Sequence, residues 1–395
     1  MLADGLEGSP ASMRICLIYD CLFPYTVGGA ERWYRNLGER LAADGHDVTY
    51  LTLRQWPRGE RGEVAGVNVV AVGPRMALYT QTGRRRILPP LVFGLGVLRH
   101  LLRPGSRYDV LHTASFPFFS LLAAGLTRRL RGQRLVVDWF EFWSREYWRE
   151  YLGPVGGLVG QAVQALCLRI PQRAFCFSRL HAVRLREARL RGAVTVLEGV
   201  YDGSLAAPEP RRAERVIVFA GRFIPEKRVP ALVPALALAR ERIPELRGEI
   251  YGDGPDHAEV LRLRAEHGLE RALEVPGFVS AERVDEALER ALCLVLPSSR
   301  EGYGLVVVEA FARATPSVAA VAPDNAAVEL VEEGVNGFVA PSARPEDLAD
   351  AIVRVAQAGF DLRASTAAWF ADNARRLSIG ASLETVSESY AETRP

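Results

Sequence analysis

Of the 49 basic residues in this 395-residue sequence, 48 are arginine and one, Lys227, is lysine. A drift toward arginine that spares one position marks a place where a compact ammonium is needed, because a guanidinium fork is not its geometric equivalent. Lys227 closes the segment Gly221-Arg222-Phe223-Ile224-Pro225-Glu226-Lys227, directly after the apolar run 216–220. A strand that ends at a glycine and is followed by two cations can aim both at one point beyond the sheet edge, and two converging cations suit a diphosphate. The plainer alternative is a surface loop with incidental charge. Downstream, Pro297-Ser298-Ser299-Arg300-Glu301-Gly302-Tyr303-Gly304-Leu305 follows a second apolar run at 293–296. Gly302 and Gly304 let backbone approach a ligand and open a helix over 305–314, whose first amides favour an anion. Glu301 and Glu309 stand a little over two helical turns apart, so both can face one cleft at different depths. Carboxylates accept from paired sugar hydroxyls, which points to a ligand carrying two sugars around its phosphates; a merely solvated Glu309 is the competing view.

The composition narrows the classes. Apolar residues make up 49% and charged residues 24%, with 35 Gly and 24 Pro, so the chain reads as globular with ample core and not as collagen, coiled coil or disorder. With one lysine there is no Walker A loop, and a pyridoxal Schiff base would have to use Lys227 itself. Cys16, Cys21, Cys167, Cys176 and Cys293 form an odd set without C-x-x-C and read as small core residues in a reducing compartment. The start (Asp4, Glu7, Pro10) has no basic, apolar leader, and the uncharged runs 110–127 and 151–168 are broken by His112, prolines and glycines, so neither reads as a membrane span. Net charge is +2 overall, yet residues 1–200 carry +11 and residues 201–395 carry −9. The two halves differ electrically, and the cut near residue 200 predicts two domains.

The elements that must position these residues follow from the apolar spacing. Runs at 14–20, 48–53, 67–72, 109–112, 135–138, 174–178 and 194–197 read as strands, alternating with helical stretches. After the unpatterned linker 203–214 the alternation restarts, with strands at 216–220, 249–251, 273–275, 293–296 and 317–320. The fold class is therefore α/β, as two doubly wound, Rossmann-like parallel-sheet domains facing across a cleft. The expected division is 13–202, 203–375, and a segment 376–395 whose closing helix returns to the first domain.

Taken with their order, these motifs resemble the retaining GT-B glycosyltransferases of family 4, the glycosyl transferases group 1. The likeness covers nearly the whole chain: GGAERWYRNLGERLAADGHDV at 28–48, G-R-x-x-P-E-K at 221–227, Gly252-Asp253-Gly254-Pro255, Gly277-Phe278-Val279 and the E-x7-E of 301–309. The resemblance implies that Arg222 and Lys227 bind the donor diphosphate, Glu309 the ribose and Glu301 the transferred sugar. It puts the Gly28-Gly29 loop on the phosphates from the opposite domain, with Gly221, Gly252, Val279, Gly302, Tyr303, Gly304 and Leu305 completing the donor pocket. Catalysis would rest on Arg222, Lys227 and Glu301. No D-x-D occurs, so no metal and no cofactor are expected beyond the nucleoside-diphosphate sugar itself.

Three positions depart from that pattern. Trp139-Phe140-Glu141 stands where many members have W-H-E, so an assigned hydrogen-bonding role is vacant. Residues 323–327 (PDNAA) replace a glycine-rich turn, and Ala314 replaces a glycine before T-P. Seven rings between Trp139 and Tyr151, interleaved with charge, read either as core or as the wall of a wet acceptor site that includes Trp139, Phe140, Glu141 and Trp143; His112, at the end of the run 109–112, reads either as a structural histidine or as a substitute at that acceptor site for the missing one. The acceptor would be a sugar, a lipid-linked group or a natural-product aglycone, and nucleic acid is not expected. The basic, apolar stretch 84–103 is either a buried helix or a peripheral contact with the inner face of a membrane, in an otherwise cytoplasmic protein. Two other functions compete: a catalytically impaired nucleotide-sugar-binding partner protein, and a GT-B phosphorylase or epimerase.

Overall fold

Apolar runs bounded by glycine or charge become two parallel sheets. The computed structural model describes residues 12–26, 28–80 and 85–391; Asp4, Glu7, Pro10, Arg84 and residues 392–395 lie outside them. The first sheet is built from β1 (Arg14–Ile18), β2 (Asp47–Leu53), β3 (Asn68–Gly73), β4 (Val110–Ala114), β5 (Arg134–Trp139), β6 (Arg173–Cys176) and β7 (Val194–Val196). Its order is β3-β2-β1-β4-β5-β6-β7. The second half adds β8 (Val216–Ala220), β9 (Arg247–Tyr251), β10 (Leu273–Gly277), β11 (Cys293–Leu296), β12 (Arg300–Glu301), β13 (Ser317–Ala320), β14 (Asp324–Asn325) and β15 (Gly337–Ala340). Its main sheet runs β10-β9-β8-β11-β13-β15, with β12 and β14 as a separate pair. Both sheets therefore reverse direction once, between β1 and β4 and between β8 and β11. Such reversal points open a crevice at the carboxyl ends of the strands, where ligands of open α/β sheets bind.

The helices of the first half are α1 (Gly29–Ala43), α2 (Leu88–Leu102), α3 (Phe118–Arg131), α4 (Arg145–Leu168) and α5 (Arg179–Glu187). Those of the second half are α6 (Leu232–Arg242), α7 (His257–Glu266), α8 (Ala281–Arg290), α9 (Leu305–Phe311) and α10 (Pro345–Leu377), followed by α11 (Ile379–Ala391). Leu383, Val386 and Tyr390 of α11 are buried in the core of the first sheet, so the end of the chain packs on its beginning. All five cysteines are buried and unpaired.

The structure differs from the sequence reading in several elements, the short pair β12 and β14 among them. Strand β15 was not anticipated, because its four residues GFVA follow the turn-rich Glu332–Asn336. Helix α9 ends at Phe311, before the anticipated 314, because Ala314 adopts φ 56° and turns the chain into β13. Helix α10 runs from Pro345 to Leu377 across a non-helical Gly359, where a glycine would ordinarily end a helical stretch. Among the described residues one helix, α4, has the length and apolarity to cross a membrane.

Candidate functional site

At the second reversal point the strand ends supply the charges. Gly221 directly follows β8, and its N–H donates to Tyr251 O at 3.0 Å. Gly252 follows β9 with φ 124°, and a Cβ there would collide with the Gly221 carbonyl, so two strand ends can lie this close only with glycine at 252. The short 3₁₀ turn Pro225–Lys227 then carries the lysine back over the crevice. Lys227 Nζ is ion-paired with Glu301 Oε1, which also accepts from Ser298 Oγ at 2.8 Å. β12 holds Glu301 in place through β14: the Asn325 amide donates to Ser298 O at 3.1 Å and to Ala320 O at 2.8 Å. Arg222 is exposed on the crevice wall, and its charge reaches Glu31 and Tyr79 of the first half.

The first reversal point faces it. Asp20, just beyond β1 and fully buried, is ion-paired with Arg85, whose backbone N–H donates to Tyr151 OH at 2.7 Å. Glu31 occupies the first turn of α1; burial raises its carboxyl above the ordinary range, and a Cβ at Gly28 would collide with its Oε2. Between the two halves lies a cavity of about 860 Å³ lined by Arg85, Phe116, Glu141, Trp143, Tyr147 and Tyr151 on one side. Arg222, Glu226, Lys227, Ser299, Arg300 and Glu301 line the other.

Polar contacts join the halves around this cavity. Arg300 pairs with Glu141, and its guanidinium lies 3.6 Å from the centre of the Tyr147 ring and 4.7 Å from that of Trp143. Tyr147 OH donates to Glu226 Oε1 at 2.9 Å. Arg184 pairs with Asp324 at 2.5 Å, and the Glu329 carboxylate accepts from the backbone N–H groups of Arg179 and Leu180 at 2.8 and 2.7 Å, at the N-terminus of α5.

The remaining sequence-predicted positions disperse. Glu309, on α9, faces Arg32 of α1 at 3.9 Å outside the cavity wall, and burial raises its carboxyl. Gly302 approaches the first half so closely that a Cβ would stand 2.6 Å from Phe140 O. Gly304, with φ 102°, turns the chain into α9. Tyr303 packs against both cores, its OH donating to Glu198 O at 2.7 Å; it braces the joint and does not line the cavity. Leu305 and Val279 pack against the second core. Gly28 and Gly29 lie at the start of α1.

Two acceptor-region positions take the core alternative. His112 lies inside β4 with no exposed surface: its Nδ1 meets Tyr390 OH and its Nε2 lies 2.9 Å from Asp138 Oδ1. Trp139 ends β5 on the other face of the sheet, fully buried, its Nε1 donating to Gln172 Oε1 at 2.9 Å. Both are core residues because alternate positions of a covered strand point into packed layers on either side. The Phe140 ring stacks on Phe177 at 4.8 Å and meets Tyr34 at 6.3 Å, off the cavity wall. Glu141 and Trp143 do line the cavity. The ring cluster is thus divided between core (Trp139, Trp148) and cavity wall (Trp143, Tyr147, Tyr151). Asp20, Arg85 and Ser298 were missed. The signal for Asp20 was a charge at the end of an apolar strand, whereas nothing local distinguishes Arg85 from Arg84 and Arg86.

Comparison with known proteins gives this geometry a context. Residues 205–376 match the family model "Glycosyl transferases group 1" and residues 28–198 match "Glycosyl transferase 4-like domain". The chain is 31% identical over 367 residues to a D-inositol 3-phosphate glycosyltransferase of Nocardioides, covering 84% of this chain and 78% of that one. It is 31% identical over 160 residues to the alpha-D-kanosaminyltransferase of Streptomyces kanamyceticus, 38% of this chain and 41% of that one. Two further streptomycete relatives are matched over only 16% and 31% of their lengths. The crystal structure of Anabaena HepE in complex with UDP and glucose superposes with a TM-score of 0.67 at 18% identity, over 96% of this chain and all of that one. Fold, paired crevices and sequence likeness agree, and the chain belongs to the glycosyl transferases group 1 family, with the GT-B fold.

Proposed function

We propose that this protein is a metal-independent, retaining glycosyltransferase that moves a sugar from a nucleoside-diphosphate sugar to a hydroxyl-bearing acceptor. One observation carries the reading: Arg222, Lys227 and Glu301 converge at the reversal point of the second sheet, on a cavity whose other wall is the reversal point of the first. In this reading Lys227 exchanges part of its pairing with Glu301 for the diphosphate of the donor. As the glycosidic bond breaks, negative charge grows on the leaving phosphate, and the Lys227 ammonium and Arg222 guanidinium neutralise it without reorganisation. Glu301, held by Ser298, accepts from hydroxyls of the transferred sugar. The acceptor enters from the wall of Phe116, Trp143 and Tyr151 and attacks the face that the leaving group vacates, with the departing phosphate taking its proton. A UDP-bound neighbour of the same fold supports a nucleotide ligand. Glu309 reading the ribose belongs to the same proposal, since it faces the first half beyond the cavity.

The alternative, a catalytically impaired binding partner, is favoured by one observation: Phe140, at the position where the family resemblance expects a hydrogen-bonding side chain, is an apolar ring stacked on Phe177. Turnover of the purified chain with a panel of nucleotide sugars in EDTA, with the anomeric configuration of the product read by NMR, separates the readings. The transferase reading requires turnover in chelator and a retained configuration. Donor binding without transfer or donor hydrolysis supports the impaired partner, and restoration only by Mg²⁺ or Mn²⁺ overturns metal independence.

A further inference from the structure

The outward faces of α2, α3 and α4 carry the wrong residues for a surface in water. Along α2 the exposed stripe is Leu88, Leu91, Leu95 and Leu102, with Leu95 61% exposed. On α3 it is Leu126 and Leu130, the latter 67% exposed. On α4 it is Val155, Leu158, Val159 and Leu166, with Val155 at 76%. The spacing of three, four and seven is that of one helix face, normally the polar one when it points outward. Only 28% of the apolar window of α4 is buried, and what is buried is its opposite face, with Gly157, Gly160 and Gln164 packed inward.

These three stripes share one side of the molecule. The connections β3→β4, β4→β5 and β5→β6 all advance in the same direction along the sheet, so right-handed crossovers place α2, α3 and α4 on the same face. Side chains agree: Phe118 of α3 and Trp148 of α4 pack together on the Trp139 side of β5, while Trp33 of α1 and Tyr390 of α11 meet Asp138 and His112 on the other.

Charge identifies what covers the surface. Residues 84–108, 110–137 and 151–186 hold fifteen arginines and not one Asp or Glu. Arg99, Arg103, Arg129 and Arg169 are exposed at the borders of the apolar stripes. A face of leucines and valines bordered by arginine, with the exposed acids of α4, Glu146 and Glu150, confined to its cavity end before Gly153, matches the acyl boundary and headgroups of an anionic bilayer, whereas the contact between two copies of this face would bring like charges together. The surface also adjoins the cavity. Tyr151 lines it, and Val155 begins the exposed stripe four residues further along α4, just beyond the break at Gly153. Arg85 lines it too, three residues before Leu88.

We propose that the faces of α2, α3 and α4 form a docking surface for an anionic lipid bilayer, on which α4 lies flat and the cleft mouth is held at headgroup height. On the transferase reading of the previous subsection, this would offer the cleft to acceptors carried on lipids. The docking itself needs no turnover, and its test is independent of that reading.

The test is co-sedimentation of the full chain with vesicles of pure phosphatidylcholine and of phosphatidylcholine with one third phosphatidylglycerol. Binding is expected to the anionic vesicles, and to fall as salt is raised from about 0.1 to about 1 M, where the screening length drops from about 10 to about 3 Å. A variant combining Val155→Glu, Leu158→Glu and Val159→Glu should lose at least roughly tenfold in partition, as should an independent Leu91→Glu, Leu95→Glu pair. Arg99→Gln with Arg103→Gln should lose roughly tenfold on anionic vesicles alone. Leu205→Glu, on the exposed linker, should bind as wild type, and circular-dichroism melting confirms that each variant is folded. Equal binding by the wild type and both glutamate variants would overturn the proposal. So would a wild type that ignores vesicles, including one that light scattering shows as a dimer made monomeric by the same substitutions.

Discussion

The two halves of the molecule are built on the same strand order and are furnished in opposite ways. At the second reversal point, charged side chains are left addressable: Lys227, Glu301 and Arg222 line the cavity. Beneath the first, polar groups are consumed internally. Asp138 accepts from Trp33 Nε1 at 2.7 Å beside His112, itself met by Tyr390 from the far end of the chain, and all four side chains are buried. Topology supplies two equivalent crevices; the side chains decide that one presents free charge while the other ties its histidine into the core. A buried polar network of this kind specifies one packing and is costly to break, whereas a partly wet ion pair can exchange partners.

The largest expected effect tests the internal network. Asp138→Ala leaves His112 and the Trp33 indole N–H without their partner in a closed core, and should cost about 3–5 kcal/mol in urea unfolding. Nucleotide affinity of the folded fraction should hold, since Asp138 does not line the cavity. A loss of nucleotide binding at unchanged stability would reverse the contrast between the halves.

Next is Lys227→Arg, which keeps the charge and changes the geometry. If the compact ammonium is what the site needs, kcat/KM should fall by about 2–3 kcal/mol, roughly 30- to 150-fold, with the melting temperature little changed. Wild-type turnover in this variant would leave the single lysine without a functional reason.

The seam between the halves gives a pH dependence. His181, nearly fully buried, accepts from the Phe142 backbone N–H at 3.2 Å, and burial, assisted by Arg184 and Arg300, lowers its pKa to about 3. In the unfolded chain it titrates near 6.5, so between those values the unfolded state binds more protons. Its contribution is present in full above about pH 6.5 and is lost as pH falls toward 3, at up to about 1.4 kcal/mol per pH unit. Chemical unfolding at stepped pH should show a shallower acid limb for His181→Gln than for wild type. Identical limbs would mean that the imidazole is not held neutral there.

The smallest effect concerns Ala314, buried in the left-handed region at φ 56°. Ala314→Gly should relieve about 1–2 kcal/mol of backbone strain and forfeit about 0.8 kcal/mol of methyl burial, for a net gain of about 0.2–1.2 kcal/mol in urea unfolding. Destabilisation by more than that would show the methyl to matter more than the backbone.

These positions also show what the sequence makes legible. The α/β class could be read because buried parallel strands are continuous apolar runs separated by helical periodicity, as in VIVFA at 216–220 and CLVL at 293–296. β15 escaped because a four-residue strand beside glycines carries no such periodicity. In the site, the pairings of Arg300 with Glu141 and of Asp20 with Arg85 join residues 159 and 65 positions apart, and periodicity indicates which face a residue takes, not its partner. The two readings of His112 stayed open for a related reason: a histidine near a strand end looks the same whether the strand is capped by solvent or by a helix returning from residue 390.

The central claim is that the cavity-lining cations of the second half bind the diphosphate of a nucleotide sugar. Calorimetric titration of uridine, guanosine, adenosine and thymidine diphosphates, in EDTA, into wild type and Lys227→Ala tests it most directly. The account predicts that at least one diphosphate binds the wild type without metal and binds folded Lys227→Ala with about 2–3 kcal/mol less affinity, roughly 30- to 150-fold. Equal affinity for both proteins, or binding by neither, would contradict it.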